Sequence, residues 1–140
     1  MRKILVGIGN PYLGDDAAGI RAAEAAAKLF HIDVAILHTT SLELVDLICE
    51  YDRAVIVDSI FGENPGTVHV FGIDDLKARR ITGSHSIGLA ESLLLGREFT
   101  RLPEITIIGI EICSVSNQTG SVRKALDTVL DIIEYELCWR

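Results

Sequence analysis

The chain has 140 residues, of which 49% are apolar, 6% aromatic and 24% charged. That length can bury a core without disulfides or structural metals, and a formal net charge of −7 argues against a nucleic-acid backbone as the main partner. Cys49, Cys113 and Cys138 form no CxxC pair and leave one cysteine over in any disulfide scheme, the usage of a reducing cytoplasm. The first apolar run breaks at Gly7, too short for a signal peptide, and no stretch has the length of a bilayer span. The expectation is a cytoplasmic protein of a single domain over residues 1–140, with no membrane partner.

Lys3–Val6 is a short aliphatic run ending in glycine, the mark of a buried strand. From Asp16 the spacing becomes helical: Ile20, Ala23, Ala27 and Phe30 share a face opposite Arg21, Glu24 and Lys28, with Asp15 placed as the cap. Asp33–Leu37 reads as a second strand, and Ser41 can cap a helix to about Glu50 with Leu44, Leu47 and Ile48 inward. Ala54–Val57 is a third strand ending at Asp58, followed by a turn around Asn64-Pro65-Gly66. Thr67–Phe71 alternates as an edge strand does, whereas 73–80 is ambiguous. Ser86–Leu95 is helical, Ile105–Ile110 is a buried strand, and Val122–Leu137 is the clearest helix. In that helix Val122, Ala125, Val129, Ile132 and Ile133 face inward. Strands alternating with helices predict an α/β sandwich on a mostly parallel sheet. The link from Asp58 to Thr67 has no room for a crossover helix, so the fourth strand is expected to run antiparallel.

In open α/β sheets, sites form at the carboxyl ends of the parallel strands. Asp16, in the loop after the first strand, Asp58, ending the third, and His85, opening the helix after the fourth, all fall on that edge. Two carboxylates and an imidazole suit a borderline divalent ion such as zinc or nickel with positions left for a substrate. Gly7 and Gly9 would then make the turn tight, and Asn10-Pro11 would stiffen it. Each residue also has a plainer reading: Asp16 as a helix-dipole partner, Asp58 as a turn former, His85 as a cap. Glu111 shares the same edge, and Glu91 lies one or two helical turns beyond His85. His31, His38 and His69 read as surface or strand-face residues, Cys49 and Cys113 as small core residues, and Cys138 as partly exposed.

With Gly7, Gly9, Asn10, Leu13, Asp15, Asp16 and Gly19 assembled, VGIGNPYLGDDAAG resembles the amino-terminal signature of the hydrogenase maturation endopeptidases. VIVDSI resembles their strand ending in aspartate, and SHSIGLAESL their histidine-led helix. The resemblance implies a three-layer α/β/α sandwich, phosphorylase/hydrolase-like, on a five-stranded mixed sheet of order 2-1-3-5-4 with strand 4 antiparallel. It implies an endopeptidase that cuts a C-terminal peptide from the large-subunit precursor of a nickel–iron hydrogenase after nickel insertion. By motif position Asp16, Asp58 and His85 are then both the metal-binding and the catalytic triad. The metal would be the substrate's own nickel, for which zinc or cadmium could substitute.

Three departures stand out. Ala17 and Ala18 separate the carboxylate pair from Gly19. The loop after the second strand, HTTSLEL, has no glycine, and its Thr39 and Thr40 join Asn10 and Glu111 as candidate substrate contacts. The last strand leads into GIEICSVSNQ where a Pro-Glu is common. These loops leave open a non-proteolytic, metal-binding assembly checkpoint protein on the same fold. Peptidyl-tRNA hydrolases also carry GxGNP, but Ala-Ala-Gly-Ile at 17–20 lacks their histidine–asparagine pair. A dinucleotide fold would need a third glycine and no aspartates where pyrophosphate lies.

Overall fold

The computed structural model describes residues 1–10, 12, 14–39, 42–78, 88–114 and 120–140. Strand β1 (Lys3–Ile8) leads through a 3-10 turn (Gly14–Ala17) into α1 (Ala18–Leu29) and β2 (Asp33–Leu37). Then come α2 (Leu42–Ile48), β3 (Arg53–Phe61), β4 (Val68–Gly72), a one-turn α3 (Asp75–Ala78) and α4 (Leu89–Phe99). The chain ends with β5 (Glu104–Ile112), α5 (Gly120–Glu134) and a π-helical turn (Tyr135–Trp139). The sheet order is β2-β1-β3-β5-β4, all parallel except β4, which runs antiparallel along β5. This is the order, and the antiparallel fourth strand, expected above. Among the described residues no helix is long and apolar enough to cross a membrane.

Alternation along the strands sorts the core into two layers. Leu5, Val55, Val57, Ile108, Ile110 and Ile112 pack against the alanine-rich face of α1 and against Val122, Ala125, Val129 and Ile133 of α5. Ile4, Val6, Ile8, Ala54, Ile56, Ile105 and Ile107 pack against Leu44 and Ile48 of α2 and Leu89 and Leu93 of α4. Each large apolar side chain so buried contributes about 1.5–3 kcal/mol. The inward face of α1 runs through Ala18, Ala22, Ala23 and Ala26, so Ala27, expected inward, is exposed. The small side chains let α1 lie close to the sheet.

Several element boundaries differ from the reading of the sequence, and two of the differences bear on named residues. β3 does not stop at Asp58 but continues to Phe61, because β5 keeps pairing with it after β1 has ended: the last β1 pair is Gly7 with Val57, and the last β5 pair is Phe61 with Ile112. Asp58 therefore sits inside the strand, one residue beyond the reach of β1. The second difference is Cys113, which is exposed because β5 ends one residue before it.

Candidate active site

The turn after β1 is organised by its own polar groups. The amide of Gly9 donates to the carbonyl of Leu37 at the end of β2 (3.1 Å), and the amide of Asn10 donates to the carbonyl of Asp16 (3.3 Å). The side-chain oxygen of Asn10 accepts from the Tyr12 amide (3.0 Å), so this candidate substrate contact is engaged in shaping the turn. The 3-10 turn then carries Asp15 and Asp16, which are 0% and 2% exposed. Asp15 does not cap α1: the N-cap is Ala17, with no side-chain cap bond, because the helix starts only after the 3-10 turn is complete.

The glycines serve close packing rather than unusual backbone angles, since positive φ occurs among the described glycines only at Gly14 and Gly66. A Cβ on Gly7 would lie 2.5 Å from the carbonyl oxygen of Gly19, and one on Gly19 would lie 2.6 Å from that of Val57. A Cβ on Gly9 would meet the carbonyl of Asp16. The first turn of α1 is thus pressed onto β1 and β3 at the level where Asp58 begins the unaccompanied part of β3.

There Ser59 joins the two aspartates. Its hydroxyl donates to Asp16 Oδ1 (2.8 Å) and its amide donates to Asp58 Oδ1 (2.8 Å). Asp58 is 2% exposed and belongs to the sheet face covered by α2 and α4, while Ser59 lies on the α1 face. The pair therefore straddles the carboxyl edge of the sheet at the end of β1. Ser59 was not singled out in the sequence, although its place next to Asp58, at the opposite strand parity, is the available signal.

Glu111, the penultimate residue of β5, lies on Asp58's face one strand over, paired in register with Ile60. Its carboxylate accepts from His69 Nε2 (2.9 Å) and from the Asn64 amide. The His69 bond, then the Asn64 bond, hold its pKa below the ordinary carboxylate value against the opposing effect of burial. Glu111 thus fastens the turn between β3 and β4. Thr39 is exposed just after β2, and Glu91 is exposed on α4. His85 and Thr40 lie outside the described residues, as does Ser41.

Among the described residues no group of three or more His, Cys, Asp or Glu side chains is arranged to hold a metal ion. Asp16 and Asp58 are carboxylates taken out of water at that strand edge and hydrogen-bonded there by Ser59, and buried carboxylates persist when hydrogen-bonded, paired or metal-bound. An open cleft of about 420 Å³ between Cys49–Asp52 and Arg101–Glu104 lies at the amino ends of β3 and β5, at the opposite edge of the sheet.

An α/β sandwich with aspartates buried where its central parallel strands end defines a class of protein whose chemistry sits at the carboxyl edge of the sheet. The chain belongs to the hydrogenase maturation protease family, whose HycI model matches residues 24–136. That span includes Asp58 and His85 and begins after Asp16. The chain is 34% identical over 130 residues to the hydrogenase expression/formation protein HupD of Rhizobium leguminosarum bv. viciae, covering 85% of this chain and 63% of HupD. It is 27% identical over 119 residues to the hydrogenase 2 maturation protease of Escherichia coli strain K12, covering 79% of this chain and 73% of that protein. Among solved structures, the hydrogenase maturating endopeptidase HybD of Escherichia coli superposes with a TM-score of 0.76 at 27% identity, over 95% of this chain and 90% of that one. The NiFe hydrogenase maturation protease HybD of Thermococcus kodakarensis superposes with a TM-score of 0.75 at 25% identity, over 96% and 97%.

Proposed function

We propose that this protein is the endopeptidase that removes the C-terminal peptide of a nickel–iron hydrogenase large-subunit precursor once nickel has been inserted. The observation that carries the reading is the Asp16–Ser59–Asp58 link at the carboxyl edge of the sheet, in a chain of the hydrogenase maturation protease family. Asp16, Asp58 and His85 are the proposed ligands, and the nickel they grip is cargo of the precursor; zinc or cadmium would take the same donors. Gripping the cargo fixes the scissile peptide relative to the sheet edge. Water adds to the peptide carbonyl, a carboxylate takes its proton, and the C–N bond breaks with that proton passing to the new amine. The unpaired cysteines support a cytoplasmic site for the reaction.

Mixing the protein with nickel-loaded precursor tests this, with mass spectrometry reading the loss of a C-terminal peptide. Asp16→Asn and Asp58→Asn are expected to slow cleavage by more than about 100-fold, and Ser59→Ala, which removes only an orienting partner, by roughly 10–100-fold. Cleavage undiminished in the aspartate variants would remove the ligand assignment. Capture of the precursor without cleavage would replace the peptidase with an assembly checkpoint.

A further inference from the structure

We propose that a second copy of this chain docks on the outer edge of β2, so that two five-stranded sheets join through antiparallel β2 strands across a two-fold axis. β2 is an end strand of the sheet, paired only with β1. The Gly9 amide donates to the carbonyl of Leu37, which stands in register with Ile8. The odd-numbered residues of β2 therefore turn their main-chain groups towards β1, and Val34 and Ile36 turn theirs outward. Neither Val34 nor Ile36 has a hydrogen-bond partner on that side among the described residues.

This edge is open along its length. Every residue of Asp33–Leu37 is exposed or half-buried, and Ile36 is 38% exposed. Natural edges are usually blunted by lysine, proline or a bulge. DVAIL has no lysine or proline, and it pairs with β1 residue for residue without a bulge. Its one charged side chain, Asp33, accepts a hydrogen bond from the Tyr51 hydroxyl (2.8 Å). The other end strand is better protected: the Gly72 amide of β4 donates to Asp75 Oδ2 (2.8 Å), and α3 packs beside that strand.

The register says what fits. With the two-fold axis at Ala35, Val34 of one copy stands opposite Ile36 of the other, and Ile36 opposite Val34. Both are outward residues, so each pair exchanges two hydrogen bonds and all the outward groups of the strand are satisfied. An axis at Val34 or at Ile36 would set the other outward residue against a position outside the strand. In the Ala35 register Asp33 faces Leu37 of the second copy, so no like charges meet. The same pairing brings the Val34 and Ile36 side chains together on the face packed by α1. The edge is thus complementary to itself. The net charge of −7 on each copy opposes association at long range, so added salt tightens it.

Sedimentation of the protein from about 1 μM to about 1 mM tests the proposal, with amide exchange by NMR across the same range. The mass is expected to rise from one copy to two, and the Val34 and Ile36 amides to slow with it by at least about tenfold. Ile36→Lys puts on this edge the charge that natural edges carry, and is expected to raise the midpoint concentration at least about tenfold. Val70→Lys, on β4 at the far side of the sheet, is expected to leave the midpoint unchanged. A single-copy mass throughout overturns the proposal. A dimer that Ile36→Lys does not weaken, or that forms with Val34 and Ile36 exchange unchanged, uses another surface and overturns it too. Protection that comes only on adding a hydrogenase large-subunit precursor assigns the edge to that partner and overturns the second copy. Should Ile36→Lys fail to fold, mass and exchange of the unaltered protein decide.

Discussion

Gly19 is the residue on which the site's geometry turns. Its α-carbon fits between the carbonyls of Ile8 and Val57, and the carbonyl of Gly19 in turn fills the space above Gly7. Ala17 and Ala18, which separate it from the carboxylate pair, are buried beside it. In the structure Ala17 ends the 3-10 turn that carries Asp16 and Ala18 opens α1, so the two alanines span the step from Asp16 to the glycine packed on the sheet. Gly19→Ala would place a Cβ 2.6 Å from a fixed carbonyl. It is expected to cost about 1–3 kcal/mol by overpacking, read as a lower urea midpoint. Because the 3-10 turn that carries Asp16 runs directly into α1, precursor cleavage should fall more than the lost stability alone explains. What sequence could tell about these residues was their chemistry, not their neighbours. Asp58 was legible as a charge ending an apolar run and Asp16 as a carboxylate opening a helix after a strand, whereas the bond of Ser59 to Asp16 depends on the packing of α1 against β3.

At the scale of elements, β3 and the turn that follows it show why boundaries were harder to read than elements. The aliphatic runs of β1, β3 and β5 announced buried strands, but a strand's end depends on its neighbours. β3 runs four residues past Val57 since β5 remains alongside, and no local feature of DSIF reports that. The turn is then held down by Glu111, whose carboxylate accepts from His69 and Asn64, while the Gly66 amide donates to the Glu111 carbonyl (2.8 Å). A carboxyl whose pKa is lowered by folding stabilises the protein above its unfolded pKa, and that contribution is lost as pH falls through the lower folded value. Glu111→Gln is therefore expected to lower the melting temperature at pH 6–7. The gap between variant and parent should begin to narrow near the ordinary carboxylate value, about pH 4, and close only as pH falls through the lower folded value. A gap independent of pH would mean that the carboxylate's charge is not what fastens the turn.

Across the whole molecule the sheet has two differently built edges. The carboxyl edge gathers the buried aspartates, while the amino edge carries a closed ring of charge that locks the C-terminus beneath the sheet. Arg53 pairs with Glu104 (2.8 Å) and Glu136 (3.3 Å), and Arg140 pairs with the same two acids (2.7 and 2.8 Å). Glu136, foremost, and then Glu104 raise the pKa of Arg140. Lys3 adds bonds from β1 to the carbonyls of Leu137 and Arg140. None of this was legible in the sequence, because Arg53 and Glu104 meet only through the β3–β5 register and Glu136 only through the π-helical turn. The family resemblance, by contrast, was legible because its motifs lie in short contiguous stretches. The ring's two cations and two anions balance, so removing one member should hurt more than removing an opposite pair. Arg53 is the most buried member, its side chain 6% exposed, and Arg53→Met would leave two acids facing Arg140 alone. That variant is expected to lose about 1.5–3 kcal/mol, the range for hydrogen bonds to charged groups, since Glu136 keeps its bond to Arg140 and Glu104 is half exposed. Arg53→Met with Glu136→Leu leaves the Arg140–Glu104 pair neutral and should be more stable than Arg53→Met alone. Urea unfolding of the full double-mutant cycle measures the coupling, and strictly additive losses would show that the four side chains are neighbours without acting as a unit.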